Sequence, residues 1–211
     1  MPIEPVSLAT ADGLVLEGEL SVPEHAWSAA VLAHPHPQFG GSMRSIVTAA
    51  MFSALPEAGV ACVRFNFRGV GRSEGTYGGG RDERADLVAG IDVLAPISEG
   101  LPLVLAGWSF GADTALTVAD DRVDGWLAVA PPLRSSALAN LVASADPRPK
   151  LVVVPEHDQF RPPDSAAPIV EGWKNTRLEI VPGGDHYLVG RADQLMALSI
   201  DWLRQVNPRP A

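Results

Sequence analysis

The chain has 211 residues, 46% hydrophobic and 19% charged, enough apolar content for one packed core and too much for a disordered chain. The net charge is −9 and the only lysines are Lys150 and Lys174, so no basic cluster marks a nucleic-acid or anionic-membrane surface. The opening MPIEPVSLAT lacks the basic-then-apolar pattern of a signal peptide, and no apolar run reaches membrane-spanning length. The single cysteine, Cys62, lies in an apolar run, cannot form an internal disulfide and reads as a buried structural thiol. Together these features place the expected location in the cytoplasm.

Residues 3–10 and 14–22 flank Ala11-Asp12-Gly13, and Asp-Gly between two extended runs predicts a hairpin. Residues 29–33 predict a strand ending in the loop HPHPQFGG (34–41), whose prolines and glycines break regular structure. Ser42 reads as the cap of a helix running to about Ala58, with Ile46, Ala50, Phe52 and Leu55 on one side. A strand at 61–67 and a glycine-rich loop at 68–80 follow. Asp82 then opens a helix in which Leu87, Ile91 and Leu94 share a face.

The run from Leu103 is an apolar strand, and Ala112, Ala115, Leu116 and Ala119 recur at helical spacing beyond it. Further strands are expected at 126–130, 151–155 and 177–182, the last followed by the loop GGDH (183–186) and a final helix over about 187–206. Residues 207–211 read as a frayed tail, leaving 1–206 as a single domain. Strand–helix alternation from residue 29 implies a mostly parallel sheet with helices on both faces, the N-terminal hairpin adding antiparallel strands at one edge. In such sheets ligands bind beyond the carboxyl ends of the strands, where Ser109, the 34–41 loop, Asp158 and His186 all fall.

Gly107-Trp108-Ser109-Phe110-Gly111, between a strand and a helix, has the pattern of a nucleophile elbow. A serine hydroxyl needs a base to take its proton and a third group to orient that base. His186, the last histidine after the serine, is read as the base. Asp158 is read as the orienting acid; Glu156 is its nearest rival, and Asp185 adjoins His186 too closely to orient it. Acyl transfer also needs two oxyanion donors. The Phe110 N–H is one; the second comes from the 34–41 loop, where proline has no N–H and His36 is preferred over Gln38 and Phe39.

His34-x-His36 has no third ligand at metal-site spacing, so no metal is expected, and His34 is read as packing under its loop and bonding the backbone. Gly69-Val70-Gly71-Arg72-Ser73-Glu74-Gly75 lacks the third glycine of a dinucleotide loop, so no nucleotide cofactor is expected. Arg68 or Arg72 instead anchors this loop through backbone hydrogen bonds.

The segments HPHPQFGGSM (34–43), RFNFRGVGRSEG (64–75), GWSFGA (107–112), EHD (156–158) and GGDH (183–186) together resemble the α/β-hydrolase superfamily, specifically small lidless bacterial-type serine hydrolases. The resemblance implies an α/β-hydrolase fold with eight strands, the second antiparallel, and a Ser109, Asp158, His186 triad. Many relatives carry Asp where Asn66 stands, a change expected to touch loop structure more than chemistry. Serine at 109, in place of Cys or Asp, argues against dienelactone hydrolase, haloalkane dehalogenase and epoxide hydrolase chemistry. Only 131–149 joins two late strands, too short for a lid domain. The expected site is therefore open, edged by Phe39, Trp108, Phe110, Leu133, Phe160 and Tyr187. The expected activity is cleavage of small-molecule carboxylic esters or thioesters through an acyl-enzyme. Peptide-bond cleavage on the same triad and a non-catalytic binding role are the alternatives.

Overall fold

The computed structural model describes residues 1–134 and 141–206; the expected tail at 207–211 lies outside them. Eight strands form one sheet: β1 (Glu4–Ala9), β2 (Val15–Ser21), β3 (Ser28–Ala33), β4 (Val60–Phe65), β5 (Leu103–Trp108), β6 (Gly125–Val129), β7 (Lys150–His157) and β8 (Thr176–Asp185). Their spatial order is β1-β2-β4-β3-β5-β6-β7-β8. The β1–β2 hairpin closes through Asp12-Gly13, with Ala9 opposite Val15 and Gly13 at φ 88, where a side chain is disfavoured. β2 runs antiparallel to β4, and every pairing from β4 to β8 is parallel.

Helices α1 (Ile46–Glu57), α2 (Glu83–Leu94), α3 (Phe110–Ala115), α4 (Pro163–Val170) and α5 (Ala192–Leu203) cover both faces. The alternation of strand side chains divides the core into two layers. Ala29, Val31 and Ala33 of β3 face Leu87 and Ile91 of α2, Ala112 of α3 and Ala166 of α4. Ala30 and Leu32 face Met51 and Leu55 of α1 and Leu195 and Trp202 of α5. Cys62 is fully buried in this second layer, and burial pushes its thiol pKa far up.

Several elements differ from the sequence expectation. α1 starts at Ile46, not near Ser42: residues 42–45 form a turn in which Ser45 Oγ accepts the Ser42 N–H at 3.0 Å, and Ile46 is exposed. Asp82 makes no side-chain cap to α2; Glu83, fully buried, instead accepts the Gly78 and Gly80 N–H groups at 2.7 Å each. α3 ends at Ala115, short of Ala119. α4 is not foreseen by the sequence reading. It opens on Pro163, whose missing N–H costs nothing at a helix start. β8 continues through Gly183-Gly184 to Asp185, where a loop is expected, by pairing Asp185 with His157 across a bulge. α5 begins only at Ala192, after a turn with Leu188 at φ 52 and Gly190 at φ 67.

Candidate active site

The six residues of β5 are all buried, and the chain turns at Ser109 with φ 56 and ψ −120 before entering α3. This strained conformation is tolerated because the turn is fixed on both sides. The Ser109 N–H donates to the Val129 carbonyl at 2.9 Å, and its own carbonyl accepts from Ala112 and Asp113. A Cβ at Gly107 would lie 2.4 Å from the Gly111 carbonyl carbon, and one at Gly111 would lie 2.5 Å from the Ala33 oxygen. Both glycines are therefore steric requirements of the turn, as the sequence suggests.

Ser109 Oγ lies 3.0 Å from His186 Nε2, and His186 Nδ1 lies 2.8 Å from Asp158 Oδ2. The residues stand at the ends of β5, β8 and β7. The other Asp158 oxygen accepts the Phe160 and Arg161 N–H groups at 2.7 and 2.9 Å, which fixes the carboxylate. With the carboxylate accepting from Nδ1–H, Nε2 is left as the acceptor facing the hydroxyl. Trp108 Nε1 donates to the His186 carbonyl at 3.0 Å and so ties the histidine to the serine's own strand. The rival acids are otherwise engaged. Glu156 is exposed and accepts the Gly183 N–H at 2.7 Å, while Asp185 accepts from Tyr187 at 3.1 Å within its own turn.

The 34–41 loop is organised by its two histidines. His34 is fully buried: its Nε2 accepts the Phe67 N–H at 3.0 Å, so its Nδ1–H donates to the Pro35 carbonyl at 2.6 Å. Both ring nitrogens are thus committed to backbone, as expected, and burial lowers the pKa to about 4. His36 Nδ1 accepts the Gln38 N–H at 3.2 Å, so its Nε2–H donates to the Tyr77 hydroxyl at 3.1 Å. The His36 carbonyl accepts from Phe39 and Gly41, both at 3.1 Å. The Gln38 and Phe39 N–H groups are therefore occupied. Among the described residues the N–H groups of His36, Gly40 and Phe110 have no acceptor. Among them, too, no group of three or more His, Cys, Asp or Glu side chains could hold a metal ion.

The glycine-rich loop after β4 is anchored differently from the expectation of backbone contacts by Arg68 or Arg72. Arg68 bonds two carboxylates, Asp86 (2.7 and 2.9 Å) and Asp12 (2.9 and 3.2 Å). Arg72 pairs with Glu17 at 2.9 Å, and Glu17 also accepts the Arg72 N–H. Asn66 bridges the loops: its Oδ1 accepts the Met43 N–H at 2.9 Å and its Nδ2 donates to Glu17 at 2.8 Å. An amide suits this position because it must donate to a carboxylate on one side and accept on the other.

Ser109 and His186 sit in a cleft of about 540 Å³ lined also by Pro35, His36, Phe39, Ile46, Trp108, Phe160 and Tyr187. Of the residues expected at its edge, Phe39, Trp108, Phe160 and Tyr187 line it. Phe110 and Leu133 do not. Phe110 is buried against the rings of His36, Phe67 and Tyr77. Leu133 is fully buried because Asp113, a buried residue of α3, accepts its N–H at 2.9 Å and draws the chain inward. Among the described residues no lid covers the cleft, and no helix is long and apolar enough to cross a membrane.

A mostly parallel eight-stranded sheet with a serine on a strained strand–helix turn and a histidine in reach defines an α/β-hydrolase-fold protein of the serine-hydrolase type. Residues 28–201 match the family described as alpha/beta hydrolase domain, and the chain belongs to that family. An alpha-beta serine hydrolase homologue from Coxiella burnetii is 31% identical, with a TM-score of 0.85 over 95% of this chain and 97% of that one. A serine hydrolase without a lid from Xanthomonas campestris is 27% identical, with a TM-score of 0.85 over 100% and 99% of the two chains. An uncharacterised protein of Rickettsia prowazekii is 27% identical over 184 residues, 82% of this chain and 77% of that protein.

Proposed function

We propose that the protein cleaves carboxylic esters or thioesters through an acyl-enzyme on Ser109. His186 serves as general base and acid, Asp158 orients it, and the Phe110 and His36 N–H groups stabilise the oxyanion. The observation that carries this reading is the continuous relay Ser109 Oγ–His186 Nε2 (3.0 Å) and His186 Nδ1–Asp158 (2.8 Å) at the floor of an open cleft. Two backbone N–H groups without internal acceptors flank that serine in chain and loop, as an oxyanion site requires.

In the cycle, His186 Nε2 takes the Ser109 proton as Oγ attacks the carbonyl carbon. The carbonyl π electrons move to oxygen, where the two N–H groups and the α3 N-terminus stabilise the charge. The tetrahedral adduct collapses, the bond to the leaving oxygen or sulfur breaks, and His186 returns its proton to that atom. Water then repeats the sequence on the acyl-serine and releases the acid. Every proton and electron pair comes from substrate, water and these side chains. The open cleft favours esters of modest size, since among the described residues nothing covers a long chain or waits for a lipid surface to move it.

A fluorophosphonate should label Ser109, and Ser109→Ala and His186→Ala should abolish labelling. A panel of esters and thioesters of increasing acyl length then sets the substrate class. An unlabelled, folded wild-type protein that turns over no ester or thioester would refute the proposal.

A further inference from the structure

We infer that the cleft selects uncharged esters bearing an aromatic group on the alcohol side of the scissile bond; this deepens the proposed hydrolase reading and rests on it. Three observations converge. The first is charge. Among the described residues no Asp, Glu, Lys or Arg side chain lines the cleft; its side-chain polar groups are Ser45, Ser109, His36, His186, the Tyr187 hydroxyl and the Trp108 indole N–H, which is spent on the His186 carbonyl. An ionised substituent entering it would lose hydration without gaining a counter-charge.

The second is where this molecule leaves aromatic surface in water. Among the described residues the exposed aromatic side chains are Phe39 (85%), Phe160 (59%) and Tyr187 (50%), and all three line this cleft. Large apolar surface concentrated in one concave place marks a binding site.

The third is sidedness. The Phe160 ring lies edge-on to His186 with centroids 4.5 Å apart, and the Tyr187 ring lies perpendicular to His186 at 5.7 Å. Phe39 instead packs on His36 at 4.6 Å, on the oxyanion-loop side. His186 must return a proton to the leaving atom, so that atom sits within hydrogen-bond reach of Nε2. Its substituent therefore departs along the wall made by Phe160 and Tyr187. A planar ring there meets one or both aromatic rings in the offset or edge-to-face geometry that aromatic pairs favour.

The test compares benzyl acetate with cyclohexylmethyl acetate, similar in size and leaving-group basicity, and with 4-carboxybenzyl acetate. The acyl-side pair methyl phenylacetate and methyl cyclohexylacetate is the control. Benzyl acetate should exceed cyclohexylmethyl acetate in kcat/KM by about threefold to tenfold, and the carboxylated ester should fall about tenfold or more below benzyl acetate. Phe160→Leu and Tyr187→Leu keep an apolar wall but remove a π face, and should move the benzyl preference toward one; Phe39→Leu should leave it in place. Equal rates for the two alcohols, an aryl preference confined to the acyl side, or full activity on the carboxylated ester would overturn the inference while fluorophosphonate labelling of Ser109 persists. Loss of that labelling would refute the hydrolase reading itself, and the inference with it.

Discussion

His34 offers the most quantitative test of how the site is held. Its ring joins the Pro35 carbonyl to the Phe67 N–H and can do so only when neutral. Burial holds its pKa at about 4, against 6.5 for an unburied histidine. Above pH 6.5 both folded and unfolded chains keep it neutral, and stability does not depend on it. Between pH 6.5 and 4 the unfolded chain binds a proton that the folded chain excludes, so this group makes stability fall as acid is added. From those two values the loss between pH 7 and pH 4.5 is about 2 kcal/mol, with a limiting slope of about 1.4 kcal/mol per pH unit.

The perturbation is His34→Gln, which cannot titrate. It should cost about 1–3 kcal/mol at pH 7 through its lost backbone bonds. Its stability should then decline less steeply than wild type toward pH 4.5. Urea unfolding followed by tryptophan fluorescence across this range provides the measurement. His36, whose pKa burial also lowers, acts in the same sense, whereas Asp86 and Asp113, raised by burial, act in the opposite sense. All three groups are common to both proteins, so the difference isolates His34. Parallel pH curves for wild type and variant would refute the assignment of a neutral, backbone-bonding imidazole.

Trp108→Phe keeps a ring in the core but removes the Nε1 bond to the His186 carbonyl. It should lower unfolding free energy by about 1 kcal/mol and, under the proposed mechanism, kcat on a good ester by about tenfold through displacement of His186; unchanged kinetics would show that the bond does not position His186. Asn66→Asp places a second carboxylate against Glu17, where an amide now donates at 2.8 Å. It should destabilise by about 1–3 kcal/mol, and Glu17→Gln in the same chain should restore much of the loss, as read by urea midpoints.

What the sequence revealed was mostly what local sterics dictate. Gly107 and Gly111 announce the turn because no other residue fits there, and chain order led from Ser109 to His186 and Asp158. His36 stood out partly because its neighbours at 35 and 37 are prolines; the occupied N–H groups of Gln38 and Phe39 needed the folded loop. Long-range partners were beyond local reading. Arg68 looked like a backbone anchor because Asp86 and Asp12 come from other elements. Leu133 looked like a wall residue because nothing near it in sequence reveals Asp113. α4 was hidden by its own prolines, Pro163 and Pro168, and β8 by a Gly-Gly pair that a loop would equally favour.

The relay spans a large part of the chain. Ser109 and His186 are 77 residues apart, and three strands, β6, β7 and β8, must join the sheet beyond β5 before the two meet. On a ribosome the serine emerges with its turn, yet His186 is among the later segments to appear. Under the proposed mechanism the growing polypeptide therefore carries an inert hydroxyl while the 77 residues from serine to histidine are made. Acylating power arrives late and all at once, making ester turnover a reporter of finished assembly rather than of local structure around the serine.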